Sequence, residues 1–192
     1  MDYKAIKKNI FTRNGYSIRP LRSEDMESIR IWRNSQLKVL RQKAKLTVSD
    51  QENYFQNFVK PLFENEYPGQ LLFSYFINNV HIGYGGLVNV SWLDFRAEMS
   101  FLVNPERANQ HELYAADFSN FIDLMKELIF DEMRFNRLFT ETYEFRDFHI
   151  SVLEKNGFVL EGLMRDYIFE DQRFYDSLLH NYLKSYYDKS KK

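Results

Sequence analysis

Residues 146 to 165 constrain this chain more than any other stretch. They read Arg146-Asp147-Phe148-His149-Ile150-Ser151-Val152-Leu153-Glu154-Lys155-Asn156-Gly157-Phe158-Val159-Leu160-Glu161-Gly162-Leu163-Met164-Arg165. Ile150 and Leu153 lie three apart, a spacing that puts both on one helix face. Asn156-Gly157 is a helix stop, because glycine takes left-handed backbone without a Cβ clash. Phe158-Val159-Leu160 then starts a strand, and Gly162 inside it marks a bulge or a close backbone approach. The unit is helix, stop, strand.

At 192 residues the chain is expected to be one domain, residues 1–192, with a sizeable core over about 16–184. A hydrophobic fraction of 44%, with 17% aromatics, argues against disorder. The formal charge of −1 gives no global pull toward nucleic acid or an acidic membrane, and neither is expected as a partner. There is no cysteine, which excludes disulfides, thiol nucleophiles and zinc–thiolate sites. The start, Met1-Asp2-Tyr3-Lys4, lacks the apolar segment of a signal peptide, and no apolar run is long enough to span a bilayer. A cytoplasmic location is the expectation. The tail Lys189-Ser190-Lys191-Lys192 is expected to be solvated and frayed.

Periodicity places the other elements. Tyr16 to Leu21 alternates as a strand. Met26, Ile29 and Trp32 or Arg33 recur at helical spacing after Ser23. Ser49-Asp50-Gln51-Glu52 matches a capping box, Tyr54, Phe55, Phe58 and Val59 give an apolar face, and Pro61 is expected to end that helix. Strands follow at Leu71 to Ile77, Val80 to Val90 and Ala97 to Val103, the first two joined by Asn78-Asn79. Leu113 to Phe130 is the longest helical pattern. A strand over Leu138 to Tyr143 precedes the signature helix, and strands from Val159 and from Phe174 close the chain. The order β-α-α-β-β-β-α-β-α-β-β implies an α+β, or mixed α/β, sheet. Gly83-Tyr84-Gly85-Gly86 has no Lys-Ser/Thr or helix after it, so it fits a bulged strand rather than a phosphate loop. Four histidines show no metal-ligand spacing, and no metal is expected.

The full string S-V-L-E-K-N-G-F-V-L-E-G-x-x-R-D resembles the C-terminal signature of the GNAT acetyltransferase superfamily, in the branch of the ribosomal-protein-alanine acetyltransferases (RimJ/RimL type). The element order is also that of the family, so the resemblance covers about residues 16 to 184. It implies a GNAT fold, acetyl-CoA as co-substrate, and direct acetyl transfer to an amine of a small molecule or peptide. In the family, the strand equivalent to Ala97–Val103 splays from its neighbour and its backbone pairs with the pantetheine arm. Phe101, Leu102 and Val103 would then line the arm. The family's next loop, Arg or Gln, two residues, Gly, one residue, Gly or Ala, holds pyrophosphate on its amides and a helix N-terminus. Here that segment reads Arg107-Ala108-Asn109-Gln110-His111-Glu112. Gln110 and Glu112 occupy the two small-residue positions, and Gln110 with His111 would face the cofactor.

Other residues take up the chemistry by the same resemblance. Where the family has Asn at the start of the signature helix, Arg146 offers a bidentate phosphate ligand. Glu98 is the candidate general base, with Glu141 on the next strand as the alternative. The family's Tyr acid is replaced by Leu153, and His149 is the candidate acid, with Tyr143 behind it. Trp32-Arg33-Asn34, with Arg41, resembles a triplet of acetyltransferases acting on nucleotide-linked amino sugars, which makes Trp32, Arg33 and Arg41 candidate acceptor contacts. Tyr175-Asp176 resembles the branch's final-strand motif in a structural role. The alternative reading is a catalytically silent GNAT-like binding module, for which the loop without glycine argues.

Overall fold

A computed structural model of the protein describes residues 1–40 and 42–191. Arg41 lies outside the described residues. Eight strands form one sheet in the order β1-β2-β3-β4-β5-β6-β8-β7. They are β1 (Phe11–Arg13), β2 (Tyr16–Pro20), β3 (Leu71–Ile77), β4 (Val80–Ser91), β5 (Arg96–Val103), β6 (Arg137–Tyr143), β7 (Val159–Glu170) and β8 (Arg173–Leu183). The helices are α1 (Met26–Ser35), α2 (Val48–Tyr54), α3 (Lys60–Glu64), α4 (Pro105–Ala108), α5 (His111–Lys126), α6 (Asp147–Lys155) and α7 (Lys184–Ser190). The class is α+β with a mixed sheet flanked by helices, the arrangement that the resemblance implies. Among the described residues no helix is long and apolar enough to cross a membrane.

β5 and β6 form the parallel pair in this otherwise antiparallel sheet, and their pairing is short. It covers Arg96 with Arg137, Ala97 with Leu138, and Glu98 with Phe139. β5 then runs on to Val103 beside β4, and β6 to Tyr143 beside β8. The sheet therefore splits beyond Glu98. Side-chain alternation assigns the two faces. Phe101 stacks on Phe118 of α5 with ring centroids 4.7 Å apart, and Tyr75 meets Phe121 at 5.1 Å. Glu98 and Ser100 consequently face the side of α1, where Arg33 bonds the Tyr84 hydroxyl.

Two glycines of β4 let its neighbours pack close, Gly85 against β5 and Gly86 against β3. A Cβ on Gly85 would lie 2.2 Å from the Ser100 carbonyl oxygen, and one on Gly86 2.0 Å from that of Leu71. Gly86 also has φ +146°, a backbone region that favours glycine.

Several expectations need correction. The helix continues through Pro61 to Glu64. A π-turn at Phe55–Val59 precedes the proline. Its wider geometry takes up the clash a proline ring makes with the carbonyl four residues back. The capping box lies two residues earlier than Ser49. Thr47 accepts from the Asp50 N–H at 3.1 Å, and Asp50 accepts from the Thr47 N–H at 2.8 Å. The α geometry of the long helix ends at Lys126 and passes into a π-turn, Glu127–Glu132. The tail is solvated as expected, with Lys189, Ser190 and Lys191 exposed, but Lys189 and Ser190 are helical rather than frayed. They end α7, whose buried Tyr187 packs on Phe130 and donates to Asp131 at 2.6 Å, with Lys191 on the same carboxylate at 2.7 Å. β1 went unanticipated because three residues carry no usable period. The bulge at Gly162 is present between Leu160 and Gly162, and Gly157 has φ +84°.

Candidate active site

The split in the sheet opens a cavity of about 320 Å³. On the α1 side it is lined by Arg33, Leu40, Tyr84 and Glu98, and on the α5–α6 side by Phe101, Phe118, Arg146 and His149. Glu141 and Tyr143 of β6 form the opposite wall. The cavity thus passes between β5 and β6 and joins the two faces.

Glu98 is 7% exposed. Its Oε2 accepts from Asn89 Nδ2 at 2.6 Å. Asn89 reaches it because the register of β4 on β5 breaks between Val88 and Ser91, where Asn89 takes φ +48°. Glu141 accepts from Ser177 Oγ at 3.1 Å. Two carboxyls from neighbouring strands therefore line one cavity. Arg33 donates from Nε to Gln42 Oε1 at 2.7 Å as well as to Tyr84.

On the other side, His149 is stacked on Phe118 at 4.3 Å. Its Nδ1 lies 2.6 Å from the Tyr114 hydroxyl, while an Arg146 guanidinium nitrogen lies 3.3 Å from Nδ1 and 3.4 Å from Tyr114 Oη. Burial drives the His149 pKa well below its ordinary value, and the Arg146 charge adds to the effect. The imidazole is neutral. With two donors facing Nδ1, that nitrogen accepts and Nε2 carries the hydrogen. Burial raises the Tyr114 phenol, against a smaller lowering from Arg146. Tyr114 escaped the sequence reading because its partner is 35 residues away.

The remaining candidates are placed as follows. The side chains of Leu102 and Val103 are in the core, 5% and 1% exposed, and the Val103 carbonyl accepts from Gln36 Nε2 at 3.0 Å. Only Phe101 of that trio lines the cavity. Trp32 is buried against the His81 ring at 4.8 Å and does not line it, because the buried stripe of α1 is Met26, Ile29 and Trp32. The His111 ring is stacked on Phe148 at 4.0 Å. Tyr175 is buried edge-on to Phe145, and Asp176 accepts from the Asp166 N–H at 2.9 Å. Among the described residues no group of three or more His, Asp or Glu is placed to hold a metal.

The loop after β5 is a closed unit. The Asn104 side chain accepts from the Glu106 N–H, and the Asn104 carbonyl from those of Arg107 and Ala108. Asn109 and Gln110 N–H bond the Pro105 and Arg107 carbonyls, and Gln110 Nε2 returns to the Glu106 carbonyl at 2.9 Å. Arg107 turns inward and forms a bidentate pair with Asp117, at 2.6 and 2.7 Å. The cavity fits the thioester and arm of acetyl-CoA. The loop does not fit its pyrophosphate, since the amides of residues 106–110 are already bonded within the chain.

Two buried histidines, His149 and His180, and the partly buried His81 give a pH test of the fold. Burial lowers the pKa of His81, His149 and His180 below the ordinary 6.5. Between the folded and unfolded pKa the unfolded chain binds more protons, so stability is full above pH 6.5 and is lost as pH falls below it. At pH 5.5 the loss is at most about 1.4 kcal/mol per histidine. Urea unfolding at pH 7.5 and 5.5 measures it. An unchanged midpoint would mean these rings protonate as readily in the fold as in the open chain.

A family model described as Acetyltransferase (GNAT) domain matches residues 18–179. No protein of curated function matches the sequence. Among solved structures, the chain is similar to spermidine N-acetyltransferase from Vibrio cholerae in complex with CoA and spermine. The TM-score is 0.79 at 18% identity, covering 91% of this chain and 99% of that one. A dodecameric structure of spermidine N-acetyltransferase from the same organism gives 0.76 at 16% identity, covering 94% and 100%. With the family model spanning most of its length, and a sheet split beyond Glu98, the chain belongs to the GNAT acetyltransferase family and is an acetyl-CoA-dependent N-acetyltransferase.

Proposed function

We propose that the protein acetylates a primary amine that approaches from the α1 side of the split sheet, with Glu98 as general base. The observation that carries this reading is the end of β5–β6 pairing at Glu98, which leaves a carboxyl and a buried imidazole on one through-going cavity. Acetyl-CoA supplies the activated acetyl group as a thioester. Glu98 takes the proton of the acceptor ammonium, oriented by Asn89. His149 Nε2 gives its hydrogen to the departing sulfur while Nδ1 takes the Tyr114 proton. The phenolate then faces Arg146 until solvent restores it. Arg33 and Tyr84 contact the acceptor.

The reading places the protein in the RimJ/RimL branch, as a single cytoplasmic domain. Acceptors to be distinguished are amino sugars, protein N-termini and polyamines. The Vibrio cholerae protein in complex with spermine motivates the last.

Calorimetric titration with acetyl-CoA, followed by an amine panel, is the test. One site per chain is expected. At a concentration 100 times the dissociation constant, stability rises by about 2.7 kcal/mol, read as a higher Tm. No heat and no thermal shift at millimolar acetyl-CoA would instead support a silent module.

A further inference from the structure

We infer that this protein recognises its acetyl donor chiefly through the pantetheine arm and gains little from the pyrophosphate. The inference rests on the acetyl-transfer reading above and concerns the donor end of the same site.

Phosphate binding on a loop needs N–H groups that point outward unbonded, room for close approach, and positive charge. The segment 104–110 withholds all three. The amide donors of Glu106 through Gln110 are consumed inside the loop by Asn104, Pro105 and Arg107. The Gln110 side chain, where a small residue would leave space, is bonded back over Glu106. Arg107 is committed to Asp117, a carboxylate with no exposure that also accepts from the Tyr16 hydroxyl at 3.0 Å. What remains is the first turn of α5, and that turn carries the acid Glu112. Arg146 is directed at Tyr114 and His149 within the cavity. The arm, by contrast, has a cleft walled by Phe101, Phe118 and the edge of β5 that faces β6 and is left without a partner strand beyond Glu98.

The experiment compares coenzyme A with pantetheine by calorimetry, and acetyl-CoA with acetyl-pantetheine as donors to the best amine of the panel. The expected dissociation constants differ by less than about tenfold, where each good charge-assisted phosphate contact would contribute about that much. Raising salt from about 50 to about 500 mM should change coenzyme A affinity by less than about twofold, since screening acts on charge contacts. A preference for coenzyme A above about tenfold overturns the inference. Gln110→Gly with Glu112→Ala reads the cause. It should tighten coenzyme A binding and leave pantetheine binding unchanged, and equal affinities for coenzyme A before and after would remove these two side chains as the reason. If neither donor binds, the acetyl-transfer reading itself fails, which is a different outcome from binding coenzyme A alone.

Discussion

Glu98→Gln lowers kcat by about 100- to 10,000-fold, the usual cost of losing a general base. The amide is nearly isosteric and still accepts from Asn89, so the strand and the bond at 2.6 Å should survive. Acetyl-CoA affinity should stay within about twofold, because Glu98 lies on the α1 side of the split and the arm is expected on the other. The measurement is steady-state kinetics with the best amine, paired with calorimetry of donor binding. A rate equal to wild type would move the role to Glu141, which lines the same cavity from β6.

Arg107→Ala destabilises the fold by about 3–5 kcal/mol, the range for removing one partner of a buried ion pair. Asp117 has no exposure and takes both guanidinium bonds of Arg107. Without Arg107 it keeps the Tyr16 hydroxyl, whose phenol is pushed up to about 12, first by burial and then by Asp117 itself. One neutral donor does not offset a buried charge. The double variant Arg107→Met with Asp117→Leu should cost less than Arg107→Ala, since no charge is left inside. Urea unfolding of both decides it. A single-variant loss below about 1 kcal/mol would show the pair to be solvated in solution and Arg107 available to a phosphate.

Much of the fold was written in local chemistry. Gly157 after Asn156, the alternation of Leu71 to Ile77, and Phe118, Phe121 and Met125 on one face of α5 each specify an element from neighbours in sequence. Local rules failed where a compensating feature lay elsewhere. Pro61 does not stop its helix because a π-turn precedes it. The basic tail does not fray because Asp131, sixty residues earlier, collects Tyr187 and Lys191.

The site divides along the same line. Alternation separated Glu98 from Ala97 and Met99, since period two assigns the faces of a strand, while the family resemblance pointed to this strand as the one that splays. Trp32 showed the limit of a triplet motif, because helical spacing made it a core residue before any ligand could claim it. The substitutions at Gln110 and Glu112 were plain in the residue string. That the loop amides are consumed, and that Arg107 turns inward, was not. Those outcomes depend on Asp117 and Tyr16 arriving at one point from different elements. In the same way the Tyr114–His149–Arg146 cluster joins α5 to the start of α6. A sequence fixes which faces its elements bury, because burial follows local period. Which polar groups meet across those elements is settled by packing, because each buried donor must find its acceptor wherever the fold puts it.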